Sequence, residues 1–298
     1  MSGIKSNSKD LIVFNSIAYS LVGLFALFCI IPLLLVFMGS ISSEQSILES
    51  GYSLIPREID IQAYKVIFKN PGAIISAYGV TVFITVVGTA VGLFLTAMTA
   101  YVLQKKDFRY RNFFAFYFYF TTLFNGGLVP WYILMVRYLG MKNNIMALII
   151  PNLFNIFYLI VIRTFISTIP YSIIESVKID GAGDFKIFVN FILPLSKPAL
   201  ASMGLFMALN FWNDWFSAML FIDNERLIPL QYYLYKMLSQ IEVLRRMVNK
   251  LNKIGMLQTP TESVKMAMTI ITIGPIILLY PYLQKFFIKG IMIGALKG

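Results

Sequence analysis

Six segments of this sequence are each long and apolar enough to cross a lipid bilayer as a helix, and no other feature restricts the fold so sharply. They run over about Leu11–Met38, Ala73–Leu103, Phe113–Val136, Ile145–Ile166, Pro198–Ile222 and Met266–Ile288. A helix of about 20 residues, rising about 1.5 Å per residue, covers the roughly 30 Å of hydrocarbon in a bilayer. Of 298 residues, 58% are hydrophobic and 13% charged, whereas an average soluble domain is about 25% charged. So much apolar surface cannot all turn inward in one soluble globule, and the excess must face lipid. The expectation is an all-α, polytopic membrane protein with six transmembrane helices in a single domain, 1–298. The polar start before Leu11 is short and no small-residue cleavage site closes the first span, which reads as a retained signal-anchor.

Whole classes of chemistry are missing from the residue inventory. There is no histidine and one cysteine, Cys29, so an intrachain disulfide, an imidazole base and a His- or Cys-rich metal site are all excluded. No G-x-x-x-x-G-K-S/T phosphate loop occurs, so the chain cannot hold ATP in that way. The net charge of +11 fits basic residues flanking membrane spans at anionic headgroups. The 25 lysines and arginines divide almost evenly between the two sides that six spans define. The dense cluster Lys105, Lys106, Arg109 and Arg111, in a very short loop, favours both termini on the cytoplasmic side.

Several spans carry residues that shape helix packing. Gly88 and Gly92 form a G-x-x-x-G pair that lets a neighbouring helix approach closely. Pro32, Pro130, Pro151 and Pro275 lie in or beside apolar runs, where each removes a backbone donor and permits a kink. These features fit plain helix packing as well as a pore that opens and closes.

Polar chemistry concentrates in the loop 167–197. Pro170 ends one helix, and Ser172-Ile-Ile-Glu175 has the S-x-x-E form of a capping box. A short helix follows, with Ile173, Ile174 and Val177 as its apolar face. Gly181 can supply the left-handed residue that stops it. Asp184 is placed to cap a second helix that ends before Pro194. An ordinary amphipathic connector would fit the same pattern. Farther on, Asn210, Trp212, Asn213, Asp214 and Trp215 sit in or near the far half of the fifth span, with Asn125 similarly placed in the third. Amide, carboxylate and aromatic groups suit a sugar, which offers hydroxyls and apolar ring faces. They suit interhelical hydrogen bonds and an interfacial aromatic belt equally. Between the last spans, Leu230, Leu234, Met237, Ile241, Leu244, Val248 and Leu251 form one apolar stripe of a helix, with Lys236, Arg245, Arg246, Lys250 and Lys253 mostly off it.

The loop resembles the coupling-loop motif of permease subunits in bacterial ATP-binding-cassette importers, E-A-A followed by Gly and an I-x-L-P element. Glu175, Gly181, Leu193 and Pro194 stand at matching places, with Ser176 and Val177 for the alanines and Phe191 for the isoleucine. Phe124-Asn-Gly-Gly-Leu-Val-Pro-Trp-Tyr132, Leu139-Gly-Met-Lys-Asn143, Asn213-Asp-Trp-Phe216 and the ending Gln284–Gly298 extend the likeness to carbohydrate-importer permeases of the maltose-permease type. Within that group the chain looks closest to the complex-oligosaccharide branch of Gram-positive bacteria.

The resemblance implies a type I importer (MetI-like) permease fold in the cytoplasmic membrane. It implies an ATPase-coupling set of Ser172, Glu175, Ser176, Val177, Asp180, Gly181, Ala182 and Pro194, and a tail contact at Lys289, Gly290 and Lys297. Its implied partners are a second permease, two ATPase subunits that bind ATP and Mg, and an extracellular binding protein, docked by the loop 223–265. The chain itself would then be no enzyme and hold no cofactor. A secondary, ion-coupled transporter, or an importer permease for a non-sugar solute, is the alternative, although Asp214 is the only evident acid deep in a span and no internal repeat is visible.

Overall fold

The computed structural model describes residues 8–250 and 261–277, in which helix is the repeating structure and one isolated antiparallel bridge joins Ser42 to Ile59. The chain divides into two compact units, one of 1–69 with 238–274 and one of 70–237 with 275–298.

The first unit begins with α1, Ser8–Ser40, whose apolar stretch from Leu11 is 30 residues long and exposed within the chain. A helix apolar on all sides and exposed over most of its length, with only its last turn packed, is suited to lipid. After it, α2 (Glu44–Ser50) is capped by Ser43, whose hydroxyl accepts from the Ser46 N–H. Next comes α3, Gln62–Ile67, whose Tyr64 hydroxyl meets that of Ser40 at 2.9 Å. A helix over 262–277, called α15 below, is tied to α2 through Glu44. That carboxylate accepts from the Glu262 and Ser263 N–H groups at 3.0 Å and from the Ser263 hydroxyl at 2.9 Å. Those donors are the orphan N–H groups of a helix start, so one acid of α2 serves as the cap of α15.

The second unit is built on α4, Pro71–Gln104, 34 residues long and opened by Pro71 and an Asn70 side-chain cap. Following it are α5 (Arg111–Leu123) and α6 (Leu128–Ile133), which runs into a π-helical turn over Leu134–Tyr138. Next, α7 (Met146–Ile149) passes through a tight turn at Pro151 and bends 50° into α8, Ile156–Ile166. The loop helices α9 (Tyr171–Ile179), α10 (Asp184–Ile187) and α11 (Leu193–Leu195) lead into α12 (Lys197–Asn213) and α13 (Phe216–Phe221). Finally α14, Leu230–Lys250, starts in this unit, where the buried Leu230 N–H donates to Thr81 Oγ1 at 2.8 Å.

Packing centres on α4, α8 and α12. The glycine pair of α4 does what its spacing predicts. A methyl group on Gly88 would lie 2.5 Å from the Phe211 ring, and one on Gly92 2.7 Å from the Leu153 carbonyl oxygen. In return Leu93 of α4 lies over Gly204 of α12, where a Cβ would come within 2.8 Å. Close approach of this kind replaces the hydrophobic drive that lipid cannot supply between helices.

Three predicted spans are not continuous helices, the fourth bending 50° at the Pro151 turn between α7 and α8. The third breaks at residues 124–127, where the Asn125 side-chain oxygen accepts from the Gly127 N–H and Gly127 takes φ +84°. The fifth breaks after Asn213. Among the described residues, Leu11–Ser40 and Pro71–Gln104 are single helices of spanning length, and two bent pairs also reach it. In the predicted α14 stripe, Leu230, Leu234 and Ile241 are buried and Met237 half-buried. The Leu244 and Val248 side chains, Leu251 and Lys253 lie outside the described residues, as does 278–288 of the last span.

Candidate functional site

The loop 167–197 folds as a compact helical hairpin, with corrections to the predicted caps. Helix α9 begins at Tyr171, two residues earlier than the capping box requires, and its N-cap is Pro170 with no side-chain bond. Proline fixes its own φ and, lacking an N–H, needs no acceptor, so it starts the helix and pushes Ser172 to the second position. Ser172 and Glu175 are therefore exposed and uncommitted to a box.

The C-terminus closes as expected. Gly181 sits at φ +79°, its N–H donating to the Lys178 carbonyl at 3.0 Å, while the Ala182 N–H donates to the Val177 carbonyl at 3.2 Å. Those paired bonds, with Val177 and Ala182 both packed on the buried cluster of α4, α8 and α10, form a Schellman motif with its hydrophobic contact. Ile174 joins that cluster and Ile173 does not.

The second helix does not end before Pro194. Asp184 is its first residue rather than its cap, and the run continues through a π turn at Phe188–Ile192 into Leu193–Leu195. The Leu193 N–H reaches back to the Phe188 carbonyl, widening the helix where the proline ring would otherwise strike the carbonyl four residues earlier. An 81° bend then turns the chain into α12.

A contact absent from the sequence reading holds this hairpin in place. The turn after α4 carries Lys105, Lys106 and Asp107, and each grips it. Lys105 pairs with Asp184 at 2.6 Å, Asp107 pairs with Lys178 at 3.0 Å, and the Lys106 ammonium lies 4.9 Å from the centre of the Tyr171 ring. The hydrogen bond between Lys178 and Asp107 holds the carboxyl below its usual range and the ammonium above its own. Between turn and hairpin lies a cleft of about 420 Å³, lined by Tyr101, Gln104, the three lysines and Pro170 among others. The alternating signs are visible in the sequence, but only the fold brings residues 71 and 79 positions apart into pairs.

The outer surface of the hairpin is polar with two apolar projections. Ser172, Glu175, Ser176 and Asp180 are exposed, beside Ile179 at 85% exposure and Phe185 at 65%. The sequence reading missed both projections. Ile179 lies off the buried stripe, and an isoleucine that the chain leaves bare beside a rigid corner is the available signal.

The predicted pathway residues separate into two groups. Trp212 is buried, its ring 6.4 Å from Tyr78, and Asp214 turns to structural work. One Asp214 oxygen accepts from Asn152 and the other from the Ser217 N–H, both at 3.0 Å, so it caps α13 and staples it to the turn before α8. Asn125 closes its own turn. Asn210, Asn213 and Trp215 remain exposed at the far end of α12. Asn213 accepts from the Gln231 amide at 3.0 Å, and the Trp215 ring stacks on Tyr235 at 4.7 Å. Lys289, Gly290 and Lys297 lie outside the described residues.

Comparisons with known proteins meet this geometry. Residues 88–293 match the family described as the binding-protein-dependent transport system inner membrane component. The chain is 36% identical over 288 residues to the polygalacturonan/rhamnogalacturonan transport system permease protein YtcP of Bacillus subtilis, covering 96% of this chain and 99% of that one. It is 38% identical over 270 residues to protein LplC of the same organism, covering 90% of each. A chain in the crystal structure of a bacterial ABC transporter that imports the acidic polysaccharide alginate superposes with TM-score 0.77 at 32% identity, over 96% of this chain and all of that one.

Proposed function

This chain belongs to the inner-membrane components of binding-protein-dependent transport systems, and on that premise we propose that it is the permease subunit of an ATP-driven oligosaccharide importer. Six helices cross the cytoplasmic membrane in one permease domain, with both termini in the cytoplasm. The hairpin 167–197 faces the cytoplasm and seats on an ATPase subunit, which binds ATP and Mg. Ser172, Glu175, Ser176 and Asp180 supply polar contacts to that subunit, Ile179 and Phe185 apolar ones, and the tail with Lys289, Gly290 and Lys297 a second contact. A related permease completes the pore above two ATPase copies, and the loop 223–265 receives an extracellular binding protein. The glycan class follows from relatives named for polygalacturonan, rhamnogalacturonan and alginate transport.

The observation that carries the coupling role is the Gly181 corner. A hairpin capped at one end, clasped to α4 and continuous with α12 transmits displacement rather than absorbing it, while its bare isoleucine and phenylalanine await a partner. The test is co-purification of the tagged chain with a second permease and an ATPase, followed by ATP-dependent oligosaccharide uptake in proteoliposomes. Uptake by this chain alone, driven by a proton or sodium gradient, would overturn the reading.

A further inference from the structure

The far end of α12 and the first turns of α14 are joined by two cross-links. One is the amide pair, Gln231 Nε2 to Asn213 Oδ1. The other is the ring pair, Trp215 on Tyr235 with planes 25° apart. Gln231 and Tyr235 are four residues apart on one helix, so they share a face and stand about 6 Å apart along the axis. Asn210 and Asn213 are three apart on α12 and share a face in the same way.

The two cross-links do not consume the groups that make them. Trp215 keeps 37% of its surface exposed and Tyr235 43%. Asn213 spends its oxygen on Gln231 and one N–H on the Leu209 carbonyl. Gln231 has given one N–H and retains the other and its carbonyl oxygen. Asn210 is exposed, with no hydrogen bond described for its amide. Tyr232, stacked 6.4 Å beyond Tyr235, is covered by the Lys236 ammonium at 5.9 Å. The ring surface left open is that of Trp215 and Tyr235.

We propose that Trp215 and Tyr235, with the amides of Asn210, Asn213 and Gln231, form a binding site for one sugar unit of a glycan chain. The apolar face of a pyranose lies on the open aromatic surface, and its hydroxyls meet amide groups that both donate and accept. The spacing along α14 between the ring pair and the amide pair is comparable to the length of one such unit. Lipid headgroups also attract Trp and Tyr at an interface. A row of neutral amides beside the rings, with one cation already held over Tyr232, answers a polyhydroxyl ligand better than a phosphate. The site rests on the oligosaccharide-importer reading and adds to it Gln231 and Tyr235, from a helix otherwise suited to the binding protein.

The probe is an end-labelled trisaccharide of galacturonate, titrated by fluorescence anisotropy onto the complete importer in nanodiscs without binding protein. A photo-reactive version is mapped by mass spectrometry. Trp215→Ala and Tyr235→Ala weaken binding about five- to tenfold, the scale of a lost ring contact, and the label maps within residues 210–235. Tyr235→Phe, which keeps the ring, binds within about twofold. It separates a lost stacking surface from a misfolded chain.

Unchanged binding in both alanine variants, or label confined to the partner permease, overturns the site while wild-type uptake upholds the importer. A Trp215→Ala effect that tracks nanodisc lipid composition rather than glycan makes the rings a lipid anchor and also overturns it. A wild-type complex that neither binds nor imports a glycan overturns both readings.

Discussion

Gly181 offers a clean separation of backbone from side-chain effects. A Cβ placed there meets nothing within 4 Å, so Gly181→Ala introduces no clash. What it introduces is the cost of holding an L-residue in the left-handed region at φ +79°, about 1–2 kcal/mol. That shifts the equilibrium away from the closed corner by about 5- to 30-fold, loosening the bonds to Lys178 and Val177 together. Asparagine tolerates the left-handed region better, so Gly181→Asn falls between glycine and alanine. Proline, locked near φ −65°, cannot form the corner.

Proteoliposomes holding the full importer, with saturating binding protein, allow ATP hydrolysis and glycan uptake to be read together. Glycan imported per ATP is expected to fall in the order Gly, Asn, Ala, Pro, with Gly181→Pro abolishing uptake while the chain still inserts in the membrane. Equal coupling in the alanine and glycine forms, or asparagine no better than alanine, would refute the reasoning, because the left-handed corner would then carry no mechanical role.

The clasp yields a charge-swap prediction. Asp107→Lys sets like charges against Lys178 and lowers coupled uptake, whereas Asp107→Lys with Lys178→Asp restores most of it; a double variant no better than the single one removes the pair from the mechanism. Glu44 yields a pH prediction. Burial pushes its carboxyl up, but the N–H groups of Glu262, Ser263 and Thr261, with the Ser263 hydroxyl, together hold it below its ordinary value. A depressed carboxylate stabilises the fold above its unfolded pKa and loses that contribution as pH falls through the folded value. Melting of the purified chain should therefore drop on acidification below about pH 5. Glu44→Ala should lower the melting temperature at neutral pH, as loss of a cap worth about 1 kcal/mol does, and flatten the acid drop. An unchanged melting curve would exclude the capping role.

Much of this molecule was legible in the sequence, because apolar length and glycine spacing are local. Gly88 and Gly92 announced a close crossing, and Gly181 announced its corner. Leu139–Asn143, noted only as a family likeness, earns its place through Asn143. The Asn143 side-chain oxygen accepts from the Asp223 and Asn224 N–H groups at 2.6 and 2.9 Å. What stayed hidden depends on competing local signals or on positions far apart in the chain. Ser172-x-x-Glu175 looks like a capping box from four letters, yet Pro170 two residues earlier decides where the helix starts. Pro194 looks like a helix end because a regular helix cannot pass it, and a π turn is a tertiary solution that composition does not announce. Asp214 looked like an acid in a passage until Asn152 and the start of α13 claimed both its oxygens.

The packing of α4 on α12 determines where motion can occur. Phe211 fills the notch at Gly88 and Leu93 that at Gly204, so each helix carries both a projection and a recess. Sliding by a turn, about 5.4 Å, would drive a ring or a leucine out of its recess, and close-packed interfaces resist such continuous deformation. The pair therefore moves as a body. The hairpin holds that body twice, by the clasp at the end of α4 and by the 81° corner into α12. Ser196, at the corner, is buried with no partner for its hydroxyl among the described residues, and the opposite end of α12 is the break at Asp214 and Trp215. Bending is left to those two points. On the proposed coupling, a displacement at Gly181 would pass through the Ser196 corner and then along the 17 residues of α12, about 25 Å of helix, and bending at the Asp214–Trp215 break would shift the ring pair against α14.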